Sequence, residues 1–211
     1  RIRGARWARR RSADPGPCGV GTRGESAPAG APDAARSGGM SLAALRKIDR
    51  DGVTFQSHID GSRHRLTPAI CMDLQYKFDS TITMVLDECT AFPAPYDLAR
   101  SSMEMSMRWA DLSKQAFRQR PGYALFGIVQ GSVYKDLRLR SVSALKDIGF
   151  DGYAVGGLAV GEGQATMLET LDATVPHLPE AAPRYLMGVG TPDDILSAVA
   201  RGIDMFDCVI P

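Results

Sequence analysis

The stretch 123-YALFGIVQGSVYKDLRLRSVSALKDIGFDGYAVGG-157 decides the fold class. It opens on a short, continuous apolar run that ends at Gln130. A segment follows in which Val133, Leu137, Ala144, Leu145 and Ile148 fall on one side of a helix, and then a second apolar run, GYAVGG. Apolar strands without alternation fit burial on both faces, the condition of parallel sheets. A helix between two such strands is the crossover that parallel pairing needs.

The pattern extends both ways. Upstream, STITMVLDECT is a β-rich run ending at Asp87, followed by the loop AFPAP and a long helix with Leu98, Met105, Trp109, Leu112 and Ala116 on one stripe. Downstream, LAVGEG leads into a helix carrying Met167, Leu171 and Val175, and RYLMGVG is a fourth strand. In TPDD, Thr191 suits the cap, Pro192 the first helical position, and Asp193 and Asp194 the positive helix end. Ile195, Leu196 and Val199 supply that helix's apolar face, and GIDMFDCV is the fifth strand.

Five strand–helix units mean an α/β fold with a parallel sheet and helices outside it. A doubly wound sheet and a (β/α)8 TIM barrel both satisfy that. Asp87, Gln130, Gly157, Gly188 and Asp207 fall at the C-terminal ends of successive strands, where barrels build their sites. No GxGxxG follows the first strand, as a dinucleotide-binding sheet would want. The expectation is a TIM barrel, incomplete at both ends in this chain.

Composition bounds the rest. The chain has 211 residues and a net charge of +1, but the charge is divided. Residues 1–39 hold eight Arg against three acids, a local +5, which leaves 17 basic and 21 acidic side chains, or −4, over 40–211. The head, rich in Arg, Gly, Ala and Pro, has no apolar period and reads as a disordered or non-native extension; residues 40–211 read as the catalytic domain. No run approaches the roughly 18 apolar residues of a membrane span. Four Cys without CxxC spacing read as reduced thiols in a cytoplasmic protein. GVTFQSHIDGSRHRLTP reads as a β-hairpin turning at Asp60-Gly61, with His58 and His64 as ordinary surface histidines.

A carboxylate beside the apolar GIDMF and CVI segments invites explanation, because burying an unpaired charge costs several kcal/mol. Asp207 reads either as a strand-end hydrogen-bond acceptor or as a nucleophile or base in a partly dry site. Asp87 carries the same ambiguity, and strand alternation sends its neighbour Glu88 to the other face. An Asp accepting from ring N–H groups, beside Gln130 offering a donor and an acceptor, suits an amide-bearing heterocycle such as a purine. The glycines of AVGGLAVGE permit close backbone approach to a ligand or simply a tight turn. MGVGTP at a helix start is a weak phosphate signal, opposed by Asp193 and Asp194.

Seven motifs in one order, GVTFQSHIDGSRHRLTP, DECTAFP, SMRWA, LFGIVQGS, GFDGYAVGGLAVGEG, YLMGVGTPDD and GIDMFDCVIP, resemble the bacterial tRNA-guanine transglycosylase (queuine tRNA-ribosyltransferase) family from about Met40 to Pro211. The resemblance implies a TIM barrel that exchanges guanine at the tRNA wobble position for a 7-deazaguanine, the queuosine precursor. It makes Asp207 the nucleophile that holds the tRNA covalently. It gives the base edge to Asp87 and Gln130, with the Gly157 amide, and places the Leu158 backbone at the aminomethyl group of 7-aminomethyl-7-deazaguanine. Cys89 would lie near Asp87, and Met187 and Gly188 beside the ring. A homodimer and a zinc ion held by three Cys and one His also belong to the family; the zinc ligands are missing from this chain.

Two departures accompany the resemblance. Arg36 occupies the position of the family's acid/base Asp, in ARSGGMSL, and a base-stacking aromatic is lost with it. The chain also stops where the family continues into its basic and zinc-bearing portion, so it reads as a truncated form whose activity the sequence leaves open. Two other functions compete: a non-catalytic partner subunit of a transglycosylase, and a barrel enzyme that binds a phosphometabolite through MGVGTP.

Overall fold

The structure, a computed structural model, describes residues 46–57 and 59–208. The Arg-rich head, Arg36, Met40, His58 and Val209–Pro211 lie outside the described residues. A three-stranded antiparallel meander comes first: β1 Arg46–Asp49, β2 Gly52–Gln56 and β3 Arg63–Leu66. Then α1 Pro68–Lys77 leads into a five-stranded parallel sheet of β4 Ile82–Met84, β5 Ala124–Val129, β6 Gly152–Val155, β7 Arg184–Leu186 and β8 Met205–Phe206. Helices α2 Tyr96–Ala116, α3 Lys135–Ile148, α4 Gln164–Thr174 and α5 Pro192–Val199 connect its strands.

The strand order is β4-β5-β6-β7-β8, with no reversal. A doubly wound sheet reverses direction at a switch point, whereas a barrel advances in one direction. Right-handed crossovers that always advance the same way put every helix on one face. The sheet is therefore a curled half of a (β/α)8 barrel, and all five strand ends open on one rim.

The core between sheet and helices is built on Val85, Leu86, Leu125, Ile128, Leu145, Val155, Leu171 and Leu186, all buried. Several elements depart from the sequence expectations. Strand β4 ends at Met84, three residues before Asp87, and a last bond to β5 runs from Val85 N to Phe126 O at 3.2 Å. The hairpin does not close on a two-residue Asp60-Gly61 turn; Ser57 N donates to Ser62 O at 2.8 Å, which leaves four residues between them. The Asp60 carboxylate stabilises that longer loop by accepting from Ser62 N at 3.1 Å.

Helix faces also shift. In α2, Leu98 is 55% exposed, while Ala99, Ser102, Ser106, Trp109 and Ser113 turn inward. In α3 the inward face is Leu137, Arg138, Ser141, Val142 and Leu145, and the helix starts at Lys135, after Val133. In α5 the buried residue is Ala198, and Leu196 and Val199 are exposed. In α2 and α5 small or hydroxyl-bearing residues hold most of the inward positions, which lets helix and sheet approach closely.

Two contacts tie the layers together. Trp109 Nε1 donates to Arg50 O at 2.9 Å, latching the β1–β2 turn onto α2. At the free edge of β4, the Gln75 amide imitates a strand: Nε2 donates to Met84 O at 2.8 Å, and Met84 N donates to Oε1 at 2.9 Å.

Candidate active site

Serines from the helices hold the strand-end residues in place. Leu86 N donates to Ser113 Oγ at 3.3 Å and Glu88 N to Ser106 Oγ at 3.0 Å, so both amides flanking Asp87 are fixed from α2. Gln130 N donates to Ser141 Oγ at 3.1 Å from α3. The strand ends thus leave the ladder without becoming loose.

Asp87 and Gln130 meet. Gln130 Nε2 donates to Asp87 Oδ2 at 2.6 Å, and Gln130 is only 2% exposed. Asp87 keeps some solvent access, yet the protein packed around its carboxyl pushes the pKa up to about 6, against the opposing pull of the Gln130 hydrogen bond. Cys89 lies close enough to feel this charge; burial first, then Asp87, push its thiol up to about 11. That thiol is neutral at physiological pH and is no nucleophile.

The glycines of AVGG serve Gln130. A Cβ at Gly156 would stand 2.8 Å from Gln130 Nε2, and one at Gly157 would stand 2.5 Å from Gln130 Oε1. Gly157 also has φ +65°, a conformation that glycine adopts freely. Leu158 is buried behind them. Glu162 then ties down the following turn, accepting from Ala159 N at 2.5 Å and Val160 N at 2.9 Å.

Asp207 forms a second cluster on β8, at the other end of the sheet. It is exposed rather than partly dry, and it accepts hydrogen bonds at a strand end, as one of its two readings has it; β8 is only two residues long and half-buried. Its Oδ1 accepts from Tyr185 Oη at 2.6 Å and from Gly188 N at 2.6 Å. Tyr185's pKa is raised by burial and by this hydrogen bond to the carboxylate, so the hydroxyl stays a donor. Among the described residues Oδ2 receives no hydrogen bond. Met187, between Tyr185 and Gly188, is half-buried against the core.

The structure therefore brings Asp87, Gln130, Gly156 and Gly157 into one cluster, and Asp207, Tyr185 and Gly188 into another. In an eight-stranded barrel, strands four places apart stand opposite each other across the rim. Strands β4 and β8 are four places apart. Residue-by-residue reading missed Glu162 and the hydrogen bond that Tyr185 donates to Asp207.

Other candidate ligand sites are weaker. The start of α5 carries its own acid: Asp194 N donates to Thr191 Oγ1 at 3.3 Å, and the Asp194 carboxylate accepts from the Thr191 hydroxyl at 2.5 Å. A phosphate there would meet a carboxylate. His64 is a surface residue whose Nε2 lies 2.7 Å from Ser62 Oγ. Among the described residues no group of three or more His, Cys, Asp or Glu is placed to hold a metal, so these residues do not fit a zinc site. No helix among them is long and apolar enough to cross a membrane.

Residues 32–211 match the sequence profile of the family described as queuine tRNA-ribosyltransferase. Curated relatives of that name include one from Granulibacter bethesdensis, 69% identical over 172 residues, which are 82% of this chain and 45% of the relative. Relatives from Gluconacetobacter diazotrophicus and Rickettsia typhi are 63% and 58% identical over the same 82% of this chain, covering 44% and 48% of their own lengths. The chain spans about half the length of the curated relatives it matches. With the profile matching most of its length, the chain belongs to the queuine tRNA-ribosyltransferase family.

Proposed function

We propose that the protein is a tRNA-guanine transglycosylase, a pentosyltransferase that exchanges guanine at the wobble position of tRNA for a 7-deazaguanine. The observation that carries this reading is the pair of strand-end clusters, one at the ends of β4, β5 and β6 and one at the end of β8. Asp87 and Gln130 stand hydrogen-bonded at the ends of β4 and β5, a set of donors and acceptors that suits a flat base, and at the end of β8 a carboxylate is held by one oxygen with the second unengaged.

Asp87 accepts from the N–H groups on the guanine edge while Gln130 and the Gly157 amide donate to its carbonyl. Opposite them, Asp207 Oδ2 attacks the ribose anomeric carbon. The C1′–O bond forms as the C1′–N9 bond breaks. The electron pair goes to N9 of guanine, which takes up one proton. The incoming base loses its N9 proton, attacks C1′, and returns the pair to Asp207. Tyr185 and Gly188 hold the carboxylate at the oxygen that does not react, so it need not search for its geometry. Its exposure suits a substrate as large as tRNA, whose docking supplies the missing cover.

Arg36 stands where the family carries its acid/base aspartate, and we assign the proton exchange to water. Cys89, Met187 and Leu158 line the base pocket in this reading, with the Leu158 backbone facing the aminomethyl substituent of 7-aminomethyl-7-deazaguanine. A cytoplasmic homodimer is its working form. The test is exchange of labelled guanine into tRNA bearing a wobble G by the intact polypeptide carrying these residues. Incorporation that requires Asp87 and Asp207 is the expected result; incorporation unaffected by Asp207→Asn would overturn the assignment.

A further inference from the structure

Arg138 is a charged side chain buried completely, with 0% exposure, on the inner face of α3. Its partners are main-chain carbonyls. Nε donates to Ser132 O at 2.6 Å, Nη1 to Val129 O at 3.0 Å and Gly156 O at 2.7 Å, and Nη2 to Gly157 O at 3.4 Å. Burying a guanidinium is costly, and Leu or Met would fill a helix–sheet contact more cheaply. Burial lowers its pKa to about 10, which still leaves it charged at neutral pH. The planar fork of Arg can reach several carbonyls at once, as a Lys ammonium on its flexible stem does not.

The carbonyls it gathers belong to the ends of β5 and β6, where Gln130 and Gly157 stand. In a planar trans peptide the C=O and the N–H point in opposite directions. Turning the Gly156 carbonyl toward Arg138 therefore turns the Gly157 N–H away from it, and fixing the Gly157 carbonyl does the same for the Leu158 N–H. Neither N–H has a hydrogen-bond partner among the described residues. The first belongs to Gly157, which stands so close to Gln130 that no side chain fits between them, and the second to the residue that follows it.

We propose that Arg138 is a positioning residue for base recognition: by holding the Gly156 and Gly157 carbonyls it aims the Gly157 and Leu158 N–H groups into the base pocket. It touches no substrate itself. The assignment rests on the base-pocket reading above and adds a selectivity device to it. The two N–H groups select a base with a carbonyl acceptor, such as guanine, over a purine without one.

The experiment compares equilibrium binding of guanine and of 2-aminopurine, which lacks the 6-oxo acceptor, to the unsubstituted protein and to Arg138→Lys and Arg138→Met. Circular dichroism melts establish which variants are folded; Arg138→Lys keeps the charge and is the variant expected to survive. The expected result is a loss of about tenfold in guanine affinity for Arg138→Lys, the worth of one well-aimed hydrogen bond, with 2-aminopurine affinity unchanged. Equal losses for both bases would make Arg138 a general structural support and overturn the proposal, as would no loss at all. Failure of the unsubstituted protein to bind either base would instead overturn the pocket reading, and this inference with it.

Discussion

Replacing Asp87 by Asn separates what this carboxylate does for binding from what it does to the fold. Its pKa is about 6 in the folded protein, against an ordinary 3.8, and the main cause is burial. A raised acid pKa means that the folded state holds a proton the unfolded state has already released. Stability therefore falls as pH rises through the window between 4 and 6. Below that window both states carry the neutral acid and no penalty remains; above it, the folded state carries a desolvated charge. The gap of about two units is worth up to about 3 kcal/mol. Asp87→Asn removes the charge at nearly constant shape and keeps an oxygen for the 2.6 Å bond from Gln130. At pH 7.5 the variant is expected to be more stable, by about 1–3 kcal/mol, or about 1 M in urea midpoint. At pH 4 the two proteins are expected to unfold together. Urea titrations followed by circular dichroism at both pH values measure this. A stability difference that is the same at pH 4 and pH 7.5 would refute the burial argument. Guanine binding moves the other way: Asn offers one acceptor where the base edge presents two N–H groups, so the more stable variant binds less well. On the proposed reading, the guanine affinity of the unsubstituted protein is expected to rise with pH up to about 6 and then level.

Three further outcomes follow from the same geometry. Gly157→Ala forces a Cβ to within 2.5 Å of Gln130 Oε1, whereas Gly163→Ala, at φ +77° with nothing within 4 Å, carries only the backbone strain; the first is expected to lose guanine binding by more than tenfold, and the second, costing about 1 kcal/mol, to retain it in the same titration. Gln75→Ala strips Met84 N and O of their partners at the edge of β4, and urea unfolding with light scattering should show a loss of about 2–4 kcal/mol together with aggregation. Tyr185→Phe removes one of the two hydrogen bonds on Asp207 Oδ1, and single-turnover guanine exchange should slow by about tenfold while guanine binding is unchanged.

The parallel sheet was legible in the sequence because its strands are unbroken apolar runs and its helices carry recognisable starts, such as Thr191-Pro192. Strand β1 was not, since RKID pairs as a half-exposed edge with no alternation to announce it. Helix α1 escaped for a related reason: PAICMDLQYK mixes polar and apolar residues, and its role rests partly on one amide, Gln75. The inward face of α2 was misplaced at Leu98 because inward positions went to serines whose hydroxyls serve backbone groups near Asp87. A hydrophobic pattern cannot see that use. Among the candidate site residues, Asp87, Gln130 and Asp207 were visible as polar groups at the ends of apolar runs. Tyr185 and Arg138 were not, because their roles depend on which backbone and carboxyl oxygens the fold brings within reach. The glycines at 156 and 157, read as room for a ligand or as a tight turn, also make room for Gln130, which the sequence did not announce.

The most direct test of the central claim is covalent capture. The intact polypeptide carrying these residues is mixed with tRNA bearing a wobble G, denatured, and resolved, and the adduct is mapped by mass spectrometry. The account predicts a tRNA–protein adduct on the peptide containing Asp207, absent in Asp207→Asn. An adduct on another residue, or one that survives Asp207→Asn, would contradict it.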